Sequence, residues 1–247
     1  MPLKLAAMQP YLFPYLGYFQ LIKAADVFVI LDTVQYIKQG WINRNCILQR
    51  GQRKLFTLPL ERAGSFRPIN DQRIAEEAKN RKKLLTLIAE SYQEAPRFRE
   101  VYPLLEKAIE TGGQRLDLCL QATLQAVCGY LEIATPLIPL SRLPLGAGPK
   151  GLERILALCR HFQATEYLNP IGGLQLYPSE RFAREGVRLF FLKSGPREYP
   201  QFGRPFVPQL SIIDLMMFNP RETLDDFLSA YELVEGKADR LTGYDPR

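Results

Sequence analysis

Apolar positions along the chain follow two different periods, and their alternation predicts the elements. Residues 4–8 read as a short buried strand, stopped by Gln9 and Pro10. Residues 27–31 are a near-continuous run of β-branched and aromatic side chains, the pattern of a strand covered on both faces. Between them Leu16, Phe19, Leu21, Ile22 and Ala25 recur at helical spacing, after a loop that Pro10 and Pro14 hold extended. Strand, loop, helix and strand make a βαβ unit with a parallel pair and a right-handed crossover. Residues 45–49 and 54–58, separated at Gly51-Gln52, predict a hairpin. Residues 60–74 read as irregular. Helical periods then run over 75–92, 96–110 and 114–131, with Gly112-Gly113 ending the second and Gly129 near the end of the third.

The α/β rhythm returns after this helical block. Strands are expected over 136–140, 165–168 and 187–192, and helices over 151–162 and 179–185, the latter with Ser179 as a cap. Asn169-Pro170-Ile171-Gly172-Gly173 forms a glycine loop behind a strand. Residues 199–209, rich in proline and aromatics, form a loop. A helix over 211–218 begins at Ser211 with Asp214 at its third position, near a capping-box pattern, and a last helix is expected over 221–233. The fold class is therefore α/β: a Rossmann-like, mainly parallel sheet with an inserted or appended helical subdomain. Residues 1–74 supply the βαβ unit and hairpin, 75–131 the helical subdomain, 132–234 the rest of the α/β domain, and 235–247 a flexible polar tail.

Composition narrows the chemistry. The chain has 247 residues, and 32 basic against 26 acidic residues give a net charge of +6, which points to anionic partners. The basic residues are scattered. The tightest group, Lys79, Arg81, Lys82 and Lys83, lies on one helix and reads as a solvated face, so nucleic acid is not the expected partner. No apolar run approaches a membrane span, and the start is too short for a signal peptide, so a cytoplasmic protein without a membrane partner is expected. Cys46, Cys119, Cys128 and Cys159 form no C-x-x-C pair, and free thiols suit a reducing compartment. The single histidine, His161, excludes a two-histidine metal site and suits a helix C-terminus.

The candidate site is the dense set of uncharged polar and aromatic residues around the first two strands. Buried polar groups are costly unless paired, so Gln9, Gln20, Asp32, Gln35, Asn43, Arg44 and Asn45 form either a structural network or a site. Asp32 follows the second strand at its carboxyl end, the edge where open α/β sheets bind ligands. Tyr15-Leu16-Gly17-Tyr18 opens the first helix, where a glycine admits close approach and a helix N-terminus attracts phosphate. The alternative for Gly17 is close packing against the strands. Arg44 offers a rigid fork of donors, and Trp41, the only tryptophan, a stacking surface. The alternative is an Arg44–Asp32 ion pair that locks the hairpin. Lys150, among glycines before a helix, and Gly172-Gly173 are candidate anion contacts or simple turns. Tyr199, Gln201 and Asp214 complete the set, and Asp214 has helix capping as its alternative role.

Met8-Gln9-Pro10-Tyr11, Pro14-Tyr15-Leu16-Gly17-Tyr18, Asp26 to Asp32, Gln35 and Trp41-Ile42-Asn43-Arg44-Asn45 resemble the hallmark of the WbqC-like family. Lys150, Arg154, Tyr167-Leu168, Gly172-Gly173, Tyr199, Gln201, Phe206, Leu210 to Asp214 and Phe218 follow the same pattern, so the resemblance spans about residues 4 to 220. It implies a bacterial cytoplasmic protein tied to O-antigen and other surface-polysaccharide clusters or to specialised metabolism. Attachment of an amino-acid group such as glycine to a sugar has been suggested for some members. With the polar cluster, this implies a transferase acting on a nucleotide-linked sugar or an activated acyl or aminoacyl group. Asp32 is then base or orienting group, and Arg44 and Lys150 hold phosphate or carboxylate. Trp41 and Tyr11 stack on a ring, and Gln9, Gln35 and Asn43 fix orientation. The alternatives are a non-catalytic nucleotide or nucleic-acid binder and a structural partner in a biosynthetic complex. The expected partner is a small anionic molecule. A nucleotide is the candidate cofactor, magnesium on Asp26, Asp32 and Asp214 stays open, and the oligomeric state is not assigned.

Overall fold

Each central strand of the sheet sends alternate side chains into two separate apolar cores. In β1 (Lys4–Met8), Ala6 joins one core while Leu5 and Ala7 join the other. In β2 (Val27–Ile30), Phe28 and Ile30 face the first core and Val29 the second. This two-sided burial is why both segments read as buried strands. The structure, a computed structural model, describes residues 2–62, 64, 66–145, 148–195, 197–203 and 205–236. The tail expected over 235–247 lies outside the described residues from 237 on, as do Gly146 and Ala147 of the loop before Lys150.

Chain order begins with β1, α1 (Leu16–Ala24) and β2, then the hairpin β3 (Arg44–Gln49) and β4 (Gln52–Thr57). Three helices follow, α2 (Glu77–Tyr92), α3 (Phe98–Glu110) and α4 (Leu116–Tyr130). Then come β5 (Leu137–Pro139), α5 (Gly151–Phe162), β6 (Glu166–Pro170), α6 (Ser179–Ala183) and β7 (Arg188–Ser194). The chain ends with α7 (Ile212–Phe218), α8 (Arg221–Leu228) and β8 (Tyr231–Glu235). Six strands form one sheet in the order β5-β2-β1-β6-β7-β8, and β3 and β4 pair separately. The sheet pairs are parallel except β7 with β8. With the hairpin set aside, the order is the 3-2-1-4-5-6 of a Rossmann-like doubly wound sheet.

The two winding directions part between β1 and β6. α1 packs in the first core with Phe19, Leu21 and Ile22, whereas α6 contributes Phe182 to the second. The helical block α2–α4 enters the chain between the sheet neighbours β2 and β5. Its Leu84, Ile88, Leu105, Leu120 and Leu124 belong to the same core as α1 and the hairpin. Cys119 and Cys128 are buried there, and Cys159 is buried in the second core.

One element differs in kind from the periodic reading. The helix expected over 221–233 ends at Leu228, and Tyr231–Glu235 becomes an edge strand. β8 runs antiparallel to β7, with Phe191 opposite Val234 and Ser194 opposite Tyr231. The helix is stopped from outside its own sequence: the Gln20 side chain donates to Phe227 O at 2.7 Å and to Ala230 O at 3.1 Å. The strand is chosen by its open pairing partner, a tertiary influence that local propensity does not carry.

Candidate functional site

The loop after β1 is held at four of its residues, and its fixation shapes the site. Tyr18 Oη donates to Gln9 O at 2.9 Å. Asn45 Nδ2 donates to Phe13 O at 2.7 Å and Ser211 Oγ to the same oxygen at 2.7 Å. Leu12 N donates to Ile42 O at 3.0 Å, and Ile212 N to Pro14 O at 2.9 Å. The loop therefore closes against the hairpin and α7, and α1 starts at a fixed place. Tyr15 stands at its N-cap without a side-chain capping bond. A Cβ on Gly17 would lie 2.7 Å from Tyr15 Cε2 and 3.6 Å from Ser194 Cβ, so glycine lets that ring and the end of β7 close over the helix start.

These elements enclose a cleft of about 700 Å³ at the point where the sheet winding reverses. One wall is the start of α1 with Tyr11 and Tyr15. Another is the carboxyl ends of β6 and β7, with Gly172, Lys193 and Ser194. The outer wall is Trp41 and Arg53 near the hairpin, and Arg197, Tyr199 and Phe206 come from the loop before α7. Three cationic side chains, Arg53, Lys193 and Arg197, line it, and the described lining residues include no carboxylate, histidine or thiol. Trp41 and Tyr15 are 45% and 41% exposed, large rings left open at the cleft. Burial, with Tyr15 nearby, raises the Tyr11 hydroxyl to about 12, so it stays a hydrogen-bond donor at neutral pH.

Among the sequence candidates, the structure gathers Tyr11, Tyr15, Gly17, Trp41, Asn45, Gly172 and Tyr199 on this cleft. The others lie off its described lining. Asp32 is fully buried beyond β2, where its Oδ1 accepts Ser141 N–H at 3.0 Å and its Oδ2 the Ser141 hydroxyl. It therefore ties β2 to the turn after its neighbour β5. Ser141→Ala is expected to lower stability by about 1 kcal/mol, because one acceptor of a buried carboxylate loses its donor while the backbone bond survives. Thermal denaturation reads this as a fall of roughly 3 °C. Arg44 does not pair with Asp32. Its Nε donates to Gly40 O at 2.9 Å and its Nη2 to Gln39 O, and its guanidinium lies 5.7 Å from the Trp41 ring centre.

Asn43 accepts from Tyr36 Oη at 2.8 Å and donates to Leu58 O at 2.8 Å, bracing the hairpin. Gln20 secures the end of α8, as described above. Gln35 is exposed and bridges to Pro68, Gln9 is half-buried beneath Tyr18, and Lys150 is exposed at the start of α5. Gly173 packs directly on Asn169, whose Nδ2 lies 1.8 Å from where a Cβ would be. Asp214, fully buried, accepts from Tyr92 Oη at 2.8 Å, Tyr199 Oη at 2.7 Å and Gln201 Nε2 at 2.6 Å. Burial raises its carboxyl above the ordinary value, against the lowering pull of the three donors. Asp214 thus stands one hydrogen bond behind Tyr199 and the cleft. Asp26 accepts Lys4 N–H at 2.7 Å, so Asp26, Asp32 and Asp214 occupy three separate environments. Among the described residues, no group of three histidine, cysteine, aspartate or glutamate side chains could hold a metal ion.

Arg53, Lys193, Ser194 and Arg197 were missed by sequence reasoning. Lys193 and Ser194 had a usable signal, since they end a parallel strand two places from β1, at the edge where such sheets bind ligands. Arg53 had none, because only the docking of the hairpin, with Arg53 Nη2 donating to Gln209 O at 3.4 Å, brings it to the cleft.

A family model described as the WbqC-like protein family matches residues 9–226. A protein of Mycobacterium tuberculosis (strain ATCC 25618 / H37Rv), described as "Uncharacterized protein Rv1507c", is 30% identical over 227 residues, which cover 91% of this chain and 97% of that one. No solved structure matches. No helix among the described residues is long and apolar enough to cross a membrane.

Proposed function

The chain belongs to the WbqC-like protein family, and from that premise we propose that it is a transferase whose cleft takes a nucleotide-linked sugar or a similarly activated anionic donor. One observation carries this reading: Arg53, Lys193 and Arg197 line a cleft at the sheet's switch point whose described lining has no carboxylate. Such a lining attracts phosphate, and each cation can make charge-assisted hydrogen bonds to phosphate oxygens. With a nucleotide-sugar donor, the acceptor oxygen or nitrogen bonds to the sugar carbon and gives up its proton to water, the bond from that carbon to the diphosphate breaks, and a nucleoside diphosphate leaves. Positive charge placed where negative charge develops on the leaving oxygen is the main help that such a departure needs. The acceptor would be a hydroxyl or amine, in surface-polysaccharide or specialised-metabolite assembly. Asp32 and Arg44 then serve the site by fixing its surroundings, Arg44 through Trp41.

Purified protein is expected to melt higher with nucleoside diphosphates and nucleotide-sugars than with free sugars or nucleosides. Ligand at a hundred times its dissociation constant adds about 2.7 kcal/mol of stability. On addition of amino-acid or sugar acceptors, a nucleotide-sugar that stabilises the protein should be consumed and nucleoside diphosphate released. No shift with any phosphorylated ligand would end the reading. The described lining has no histidine, carboxylate or thiol, which favours a second reading, a nucleotide-binding protein without turnover. Stabilisation without consumption under any acceptor would select it.

A further inference from the structure

Trp41 is the sole tryptophan of the chain, and it stands 45% exposed on the wall of the cleft. A large ring open at a cleft wall offers an apolar, polarisable face on which a planar ligand can stack. Its position is not accidental to a mobile loop. Ile42, next in sequence, is buried and anchors Leu12 N–H through its carbonyl. Arg44 sits within cation–π reach of the ring, and two of its five N–H donors are held by Gly40 O and Gln39 O. The arginine therefore braces the indole. The cations Lys193 and Arg197 belong to β7 and the loop that follows it, while Trp41 lies beside the hairpin. The cleft thus sets a flat aromatic wall, with Arg53 beside it, against two cations from another part of the fold.

From this division we infer that the ligand is a nucleoside diphosphate or its conjugate, with its base stacked on Trp41 and its phosphates on Lys193 and Arg197. The inference rests on the proposed nucleotide-linked donor and makes it specific. A plain acyl phosphate would satisfy the cations and leave the indole uncovered, and a phosphosugar would cover it only with the C–H face of its ring, without a stacked π face. Stacking tolerates any base, because every base has a π face, so Trp41 sets the need for a base without choosing which.

Having one tryptophan makes the test direct. Intrinsic fluorescence and melting temperature are measured with UDP, ADP, inorganic pyrophosphate and glucose 1-phosphate. UDP or ADP should quench Trp41 emission and raise the melting temperature, and pyrophosphate should raise it with little quenching. Trp41→Ala should weaken UDP or ADP roughly 10- to 100-fold and leave pyrophosphate binding unchanged, which also shows that the variant is folded. Trp41→Phe should recover most of the loss. Nucleotide binding that ignores Trp41→Ala, or glucose 1-phosphate that quenches as strongly and binds more tightly than UDP, overturns the inference while the anionic cleft stands. If none of the four probes binds, the proposed donor site fails and the inference falls with it.

Discussion

Tyr92→Phe is expected to destabilise the protein by about 3 kcal/mol, although it removes a single oxygen. That hydroxyl is fully buried and bonded twice. It accepts Leu48 N–H at 2.9 Å from the hairpin and donates to Asp214 Oδ1 at 2.8 Å in α7. Removing it leaves a buried amide and a buried carboxylate oxygen without these partners, and each such group costs about 1–3 kcal/mol. For a chain of this size the melting temperature should fall by roughly 10 °C. Tyr199→Phe provides the contrast. Asp214 Oδ2 keeps the Gln201 amide at 2.6 Å, so about 1 kcal/mol is expected. The deficit of Tyr92→Phe should also depend on pH. The folded Asp214 carboxyl is raised above its ordinary value by burial, so its contribution favours the folded state at low pH and is lost as pH rises through the folded value. Losing the Tyr92 donor removes a lowering influence and raises that value further. Relative to wild type, the variant should therefore be less impaired in mildly acid buffer than at neutral pH. A deficit under 1 kcal/mol at neutral pH would mean that water replaces the hydroxyl and that the network is not what joins α2, the hairpin and α7.

The double variant Lys193→Gln, Arg197→Gln is expected to lose affinity for a nucleoside diphosphate by at least about 100-fold. Each cation lost removes a charge-assisted contact worth about 1.5–3 kcal/mol, taken at its lower end because both side chains are exposed to screening solvent. Two such losses at about 1.4 kcal/mol per decade give that factor. Stability without ligand should barely change. Lys193 faces Glu232 across the β7–β8 pair, and an exposed cross-strand pair contributes only about 0.2–1 kcal/mol. Calorimetric titration with UDP measures the affinity, and its salt dependence in the wild type should be steeper than in the variant. Unchanged affinity with intact melting would place the phosphates away from the end of β7.

How legible the site was differs residue by residue. Gly17, Trp41 and Tyr199 were readable because a glycine at a helix start, a lone tryptophan and a tyrosine in an aromatic loop are conspicuous in any fold. Asp32 was readable as the residue closing a parallel strand, yet its engagement by Ser141 was not, because 109 residues separate them. Tyr92 and Asp214 meet across 122 residues, and an ordinary helical tyrosine carries no mark of that meeting.

Local and periodic features were determined by the sequence itself. Apolar runs with two-sided burial define β1 and β2, helical spacing defines α1 and α2 to α4, and Ser211 caps α7, accepting Ile213 N–H at 3.3 Å as its position suggests. These follow from residue type and short-range geometry, which a linear chain records. The tertiary structure alone decided that 231–235 pairs as a strand beside β7, that Gln20 ends α8, and that Arg53, Lys193 and Arg197 converge on one cleft. Those outcomes depend on which distant backbone edge or carbonyl is left unpaired after the cores form. Apolar burial is non-directional and patterned along the chain, whereas hydrogen-bond completion and charge convergence are directional and set only once the elements have packed.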